Sequence, residues 1–213
     1  MKLNKLSAIA AALSITAAAN AQLITSFTNL DFDSGGVSTA GNFNGFDNPN
    51  CEIIGWNNNA GLNDAGVEGP GAWWNPYQVN SAFMNNGGSA YNLSDYTIQA
   101  GDAFSIDFQA KCWWGDGLWT VSLFYDNPAN VIGSYTTPGT TVTHWDWSQY
   151  STTTPIAATG ASVGGKLGIL IASTGPAIAC IDEIAVSTVV PEPTTLSLMA
   201  VAGLGLLLPR RRK

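Results

Sequence analysis

The run Phe104-Ser105-Ile106-Asp107-Phe108-Gln109-Ala110-Lys111-Cys112 constrains this chain more than any other part of it. Apolar and polar residues alternate strictly, so Phe104, Ile106, Phe108, Ala110 and Cys112 share one face of a half-buried strand. Leu118 to Tyr125 repeats the pattern, with Trp119, Val121, Leu123 and Tyr125 on one face. Gly115-Asp116-Gly117 between the two runs offers turn residues that accept positive φ, and predicts an antiparallel hairpin. Between residues 22 and 190 no 12-residue window carries a 3.6-residue period. Further strands are expected over Cys51 to Trp56, Thr140 to Trp147, Lys166 to Ala172 and Ile178 to Val186. Asn48-Pro49, Asn127-Pro128 and Pro138-Gly139 mark turns, and Asn57 to Asn92, rich in Gly and Asn, reads as long loops. Short strands with Gly-rich turns make an all-β antiparallel sandwich or jelly roll.

Charge divides the chain. Of 8 Lys and Arg, six lie at the ends, as Lys2, Lys5, Arg210, Arg211, Arg212 and Lys213. Setting these and Glu192 aside leaves 14 acidic residues against Lys111 and Lys166, a net −12 with no arginine. That excludes a nucleic-acid partner, which needs a basic surface. It also argues against a lyase that must neutralise a uronate carboxylate.

Lys2 and Lys5, the apolar run Leu6 to Ala18 and the small-residue site Ala19-Asn20-Ala21 read as a secretory signal peptide over 1–21, with the mature chain starting at Gln22. At the other end Pro191-Glu192-Pro193 precedes the uncharged stretch Thr194 to Leu208, then Pro209 and four cations. Fifteen residues make a short membrane helix, and the basic end keeps it oriented with the tail in the cytoplasm. Pro191, Glu192, Pro193, the short apolar helix 194–208 and Arg210, Arg211 and Arg212 together resemble the PEP-CTERM sorting signal of Gram-negative bacteria. That segment is also named an ice-binding-protein C-terminal domain, although it has no ice-binding chemistry. The resemblance covers 190–213 and leaves 22–189 as the sandwich domain. It implies recognition by an exosortase, a membrane intermediate, and delivery to the cell surface or extracellular matrix.

The order of landmarks in the core resembles carbohydrate-binding modules of the galactose-binding-like jelly-roll type. Asn29-Leu30-Asp31-Phe32-Asp33-Ser34-Gly35 is similar to their opening strand, and Gly55-Trp56 to the Gly-Trp that follows it. Ala100 to Ile106 is similar to the start of a middle strand, and Ile181-Asp182-Glu183-Ile184 to the closing strand. In that family an acid on the opening strand and another on the closing strand bracket a structural calcium. The matching residues are Asp33, where the family usually has Glu, and Asp182. Carboxylates and loop carbonyls are the ligands Ca²⁺ prefers.

Catalysis finds little support in the residues. His144 is the one histidine and no Gly-x-Ser-x-Gly occurs. One His with three scattered Cys has no zinc spacing. A glycoside hydrolase needs only two carboxylates, so a secreted acidic glycosidase stays open as the alternative. The 22 aromatic residues all fall inside the core segment. Trp73, Trp74 and Tyr77, amid asparagines, and Trp113, on the polar face of its strand, have the composition of a neutral-polysaccharide site. The other possibility is that they pack inward. Trp114, Trp119, Trp145 and Trp147 are expected in the core. Shared strand parity suggests a Cys112–Cys180 disulfide with Cys51 left over. The reading is thus a non-catalytic, carbohydrate-associated module on an exported protein.

Overall fold

The computed structural model describes residues 20–34, 53–60, 65–69, 80–84, 87–112, 117–138, 146–175 and 179–190. Twelve strands are described: β1 (Asn20–Leu23), β2 (Trp56–Ala60), β3 (Ala65–Glu68), β4 (Ser81–Met84), β5 (Ser89–Thr97), β6 (Ala103–Cys112), β7 (Leu118–Tyr125), β8 (Asn127–Thr136), β9 (Ser148–Ser151), β10 (Ile156–Ala157), β11 (Lys166–Thr174) and β12 (Ala179–Val190). They form two sheets. The seven-stranded sheet runs β10-β6-β12-β4-β3, with β1 also on β12 and β9 also on β6, and the five-stranded sheet runs β2-β5-β11-β7-β8. Every pairing with a described register is antiparallel. The sandwich lies within the unit Ala21–Val190.

The core sits between the sheets. Phe104, Ile106, Phe108, Ala110 and Cys112 from β6 meet Trp119, Val121 and Leu123 from β7 and Leu167, Ile169 and Ile171 from β11, all fully buried. The alternation of β6 and β7 is therefore borne out, but the hairpin is not. β6 belongs to one sheet and β7 to the other, so the two strands do not pair. Two apolar faces can bury each other across the core as well as side by side, and alternation does not distinguish the two cases.

Four further expectations are corrected. Asn57 to Asn92 contains most of β2, all of β3 and β4 and the first four residues of β5 where loops were expected. Asn127-Pro128 opens the ten-residue strand β8 instead of marking a turn alone. Asn29 to Ser34 is a looped segment, and the first described strand is β1, upstream of it. Trp147 is outside the main core. It packs with Phe83 and Cys180 on the outer side of the seven-stranded sheet.

The cysteine pairing also fails. Cys112 and Cys180 are both buried thiols. Ala179 lies opposite Cys112, and Cys180 lies opposite Lys111, so the two sulfurs leave opposite faces of the sheet. A bulge between Asp182 and Ala185 inverts the parity of β12, with Glu183 at φ 50°. Before the bulge the odd residues Ala179 and Ile181 face the main core, and after it the even residues Ile184 and Val186 do.

Candidate functional site

The outer face of the five-stranded sheet is built from rows of side chains that register brings together. Thr136, Thr120, Ala172 and Ser89 form one row across β8, β7, β11 and β5. Ser134, Ser122, Leu170, Tyr91 and Asn57 form the next, reaching β2. Val131, Phe124, Gly168 and Leu93 form the third. None of these side chains is charged, on a core segment that is otherwise strongly acidic. Thr120 and Thr136 share a hydroxyl–hydroxyl hydrogen bond of 2.9 Å, and Ser122 and Ser134 one of 2.7 Å. A hydroxyl pair spends one proton internally and keeps a second proton and its lone pairs for a ligand. Asn59 adds an amide at the margin, donating to Ser89 at 3.0 Å.

The aromatic part of this face depends on a glycine. Phe124 points away from the core yet is fully buried. Its ring lies on Gly168, where any Cβ would overlap it, and meets Tyr91 edge-on with ring centroids 5.9 Å apart. Tyr91 is thereby propped half-exposed beside the hydroxyl rows, with Leu93, 44% exposed, next to it on β5.

A second feature lies where residues 29–34 meet β12. Asn29 and Phe32 hold φ 58° and 55°. The turn is fixed by Ser34 N donating to Asn29 Oδ1 at 2.7 Å and by Trp56 Nε1 donating to Asn29 O at 2.9 Å. Phe32 stacks on Trp56, with centroids 5.1 Å apart. Ile184 N donates to Leu30 O at 3.2 Å and ties the turn to the bulge of β12. Asp182 is buried there, and burial lifts its carboxyl to about 8. The charges of Glu183, Asp33 and Asp31 push the same way, against the opposing Glu183 N–H bond. Asn80 donates to Asp33 Oδ1 at 3.0 Å, while its own Oδ1 is buried without a partner. An orphaned amide oxygen beside carboxylates held under mutual repulsion is the donor chemistry of a hard cation. Among the described residues no three His, Cys, Asp or Glu side chains converge on one point, so such a cation also needs amide or main-chain oxygens.

A third cluster is structural. On the outer side of the seven-stranded sheet Lys111 Nζ lies 3.1 Å from Glu68 Oε1, with side chains 1% and 0% exposed. Ser81 donates to the same oxygen at 2.9 Å, and Lys111 sits 4.6 Å from the Trp147 ring centroid. Burial first, and Glu68 beside it, hold the Cys180 thiol well above its usual range, so it is no nucleophile.

No protein-family profile matches the chain, and no curated protein sequence does. Solved structures do resemble it. One is the family 61 carbohydrate-binding module TmCBM61 in complex with β-1,4-galactotriose, at 14% identity and TM-score 0.44, covering 67% of this chain and 93% of that one. Another is the CBM22-1 xylan-binding domain of Paenibacillus barcinonensis Xyn10C, at 14% and 0.43, covering 72% and 98%. A third is the enzymatically active domain of bacteriophage CBA120 tailspike protein 4, at 13% and 0.43, covering 71% and 21%. Two of the three are carbohydrate-binding modules. What this chain binds rests on its own surface.

Of the ligand and metal residues singled out in the sequence, Asp33 and Asp182 are described, and both lie where residues 29–34 meet β12. Trp73, Trp74, Tyr77 and Trp113 lie outside the described residues, as do Cys51, His144, Pro191, Glu192, Pro193 and Arg210 to Arg212. Sequence reasoning missed Tyr91, Phe124, Ser122, Ser134 and Asn80. Gly168 was the available signal, because a glycine inside a strand marks a close approach.

Proposed function

We propose that this chain is an exported, non-catalytic β-sandwich that binds neutral polysaccharide on the outer face of its five-stranded sheet. The observation that carries the reading is the uncharged row Ser134, Ser122, Leu170, Tyr91 and Asn57, in which hydroxyls and an amide flank an aromatic ring. Sugars need an apolar surface for the ring face and hydrogen-bonding groups for the hydroxyls, and this row supplies both without charge. Trp73, Trp74, Tyr77 and Trp113 serve as further stacking groups. Asp33, Asp182 and Asn80 would hold a structural Ca²⁺, which would fix the turn at 29–34 against β12. The segment 190–213 is a sorting signal read by an exosortase, with helix 194–208 in the membrane until processing. The protein then resides at the surface or in the matrix of a Gram-negative bacterium.

Affinity electrophoresis of the exported protein in neutral and acidic polysaccharide gels, with and without chelator, tests the binding reading. Retardation by a neutral gel, lost in Tyr91→Ala, is the expected result. Retardation by the acidic gel alone, unaffected by chelator, would overturn it. Release of reducing ends would support the glycosidase alternative instead.

A further inference from the structure

We infer that the mature protein begins with a pyroglutamyl residue formed from Gln22. The inference rests on the leader reading, which places cleavage between Ala21 and Gln22. Strand β1 runs through that bond. Ile24 N donates to Val186 O at 2.9 Å and Thr188 Oγ1 donates to Gln22 O at 3.3 Å, so the strand is tied to β12 from its first mature residue. Gln22 itself is exposed and lines an open cleft of about 510 Å³ with Leu23, Asp95, Thr97 and Thr188. The backbone carbonyl is anchored while the side chain has room to fold back on its own nitrogen.

Cleavage gives Gln22 a free α-amine, which ordinarily titrates at about 7.7–8 and so has a neutral fraction near neutral pH. The neutral nitrogen attacks Cδ of the side-chain amide. An N–Cδ bond forms, one of the two amine protons passes to Nε2, the Cδ–Nε2 bond breaks and ammonia leaves; it then takes up the proton that the α-ammonium shed. A five-membered lactam results, with no oxidant or reductant. The lactam retains one N–H for the sheet and removes a positive charge from the strand's first residue. Asp95 then remains as the one charged side chain among the described residues lining the cleft. Cleavage one residue to either side would expose Ala21 or Leu23, neither of which can cyclise.

The full chain is expressed with its own leader, the exported protein is digested, and the N-terminal peptide is weighed and sequenced. The expected peptide starts at residue 22, is lighter by one ammonia, and resists stepwise N-terminal degradation until a pyroglutamyl peptidase removes its first residue. Gln22→Ala should be cut at the same place and stay open to degradation, with no loss of ammonia. A full-mass peptide with a free Gln22 amine overturns the inference and leaves the leader reading intact. A peptide starting elsewhere overturns both. Loss of ammonia that persists in Gln22→Ala places the chemistry on another residue and also overturns the inference.

Discussion

Replacing Gly168 by Ala tests how the outer face of the five-stranded sheet is assembled. Gly168 lies in β11 between Phe124 and Leu93. A Cβ at Gly168 would lie 2.5 Å from Cε1 of Phe124 and closer still to Cζ and Cε2. Carbon atoms cannot approach that closely, and a phenyl ring has no flexible end to yield. The ring must tilt, breaking its edge contact with Tyr91 and exposing buried apolar surface. Overpacking of this kind costs about 1–3 kcal/mol. Gly168→Ala should therefore lower Tm by about 4–8 °C for a loss of about 2 kcal/mol in a domain of this size. The cost should vanish once the ring is removed. Phe124→Ala alone should cost about 3 kcal/mol. In that background Gly168→Ala should be neutral or stabilise by about 0.5–1 kcal/mol, because Ala loses less chain entropy than Gly in a strand. The double-mutant cycle, read by urea and thermal unfolding, should give a coupling of about 2 kcal/mol or more. Additive effects, or a Gly168→Ala protein as stable as wild type, would show that the ring does not rest on this glycine.

Lys111→Met should destabilise by about 3–5 kcal/mol by stranding Glu68, whereas Glu68→Leu with Lys111→Met should recover most of the loss in the same unfolding assay. Asp182 titrates near 8 in the folded chain against about 3.9 unfolded, so the folded chain retains a proton that the unfolded one sheds. In chelator, stability is full below about pH 4 and falls as pH rises toward 8. Asp182→Asn should remove that share of the slope, and a slope identical to wild type would count against the buried carboxyl. Added Ca²⁺ should raise the unfolding midpoint most near pH 8, where Asp182 ionises, and Asn80→Ala should weaken that response. Deleting Arg210 to Lys213 should leave the protein unsorted, because the cytoplasmic charges and the recognition tail go together; fractionation showing normal surface delivery would contradict it.

The strands that alternate cleanly were legible. β6, β7, β11 and most of β12 carry apolar residues every second position, and their burial follows. β5 was not legible because its inward positions include Asn92 and Ser94. Asn92 Nδ2 donates to Thr28 O at 2.6 Å and Ser94 Oγ donates to Leu167 O at 2.7 Å. Asn92 Oδ1 stays buried without a partner. Tied to the main chain in this way, polar side chains can line the interior, and the hydrophobic period disappears from the sequence. β8 was hidden by Pro128 and by register shifts against β7. The cysteine error came from one inserted residue near Glu183, which no glycine announces. The sheet face could not be read at all from sequence, since its row from Ser134 to Asn57 draws one residue from each of five strands. Alternation gives each strand's outward set, but only register says which members are neighbours.

β12 is the last of the described strands, yet it sits between β6 and β4 at the middle of the seven-stranded sheet. Until that segment has been synthesised, β6 and β4 have no strand between them and the apolar side chains of β6 lack those of β12 beside them. Contacts this distant in sequence impose a large loop-closure entropy, which slows folding to the timescale of other β-rich topologies. An open slot flanked by two prepared edges also accepts the same strand from another molecule at little cost in contacts. At high concentration during refolding, exchange of β12 between copies is therefore the expected misassembly, and a truncated chain ending before Ala179 should be captured by a synthetic β12 peptide.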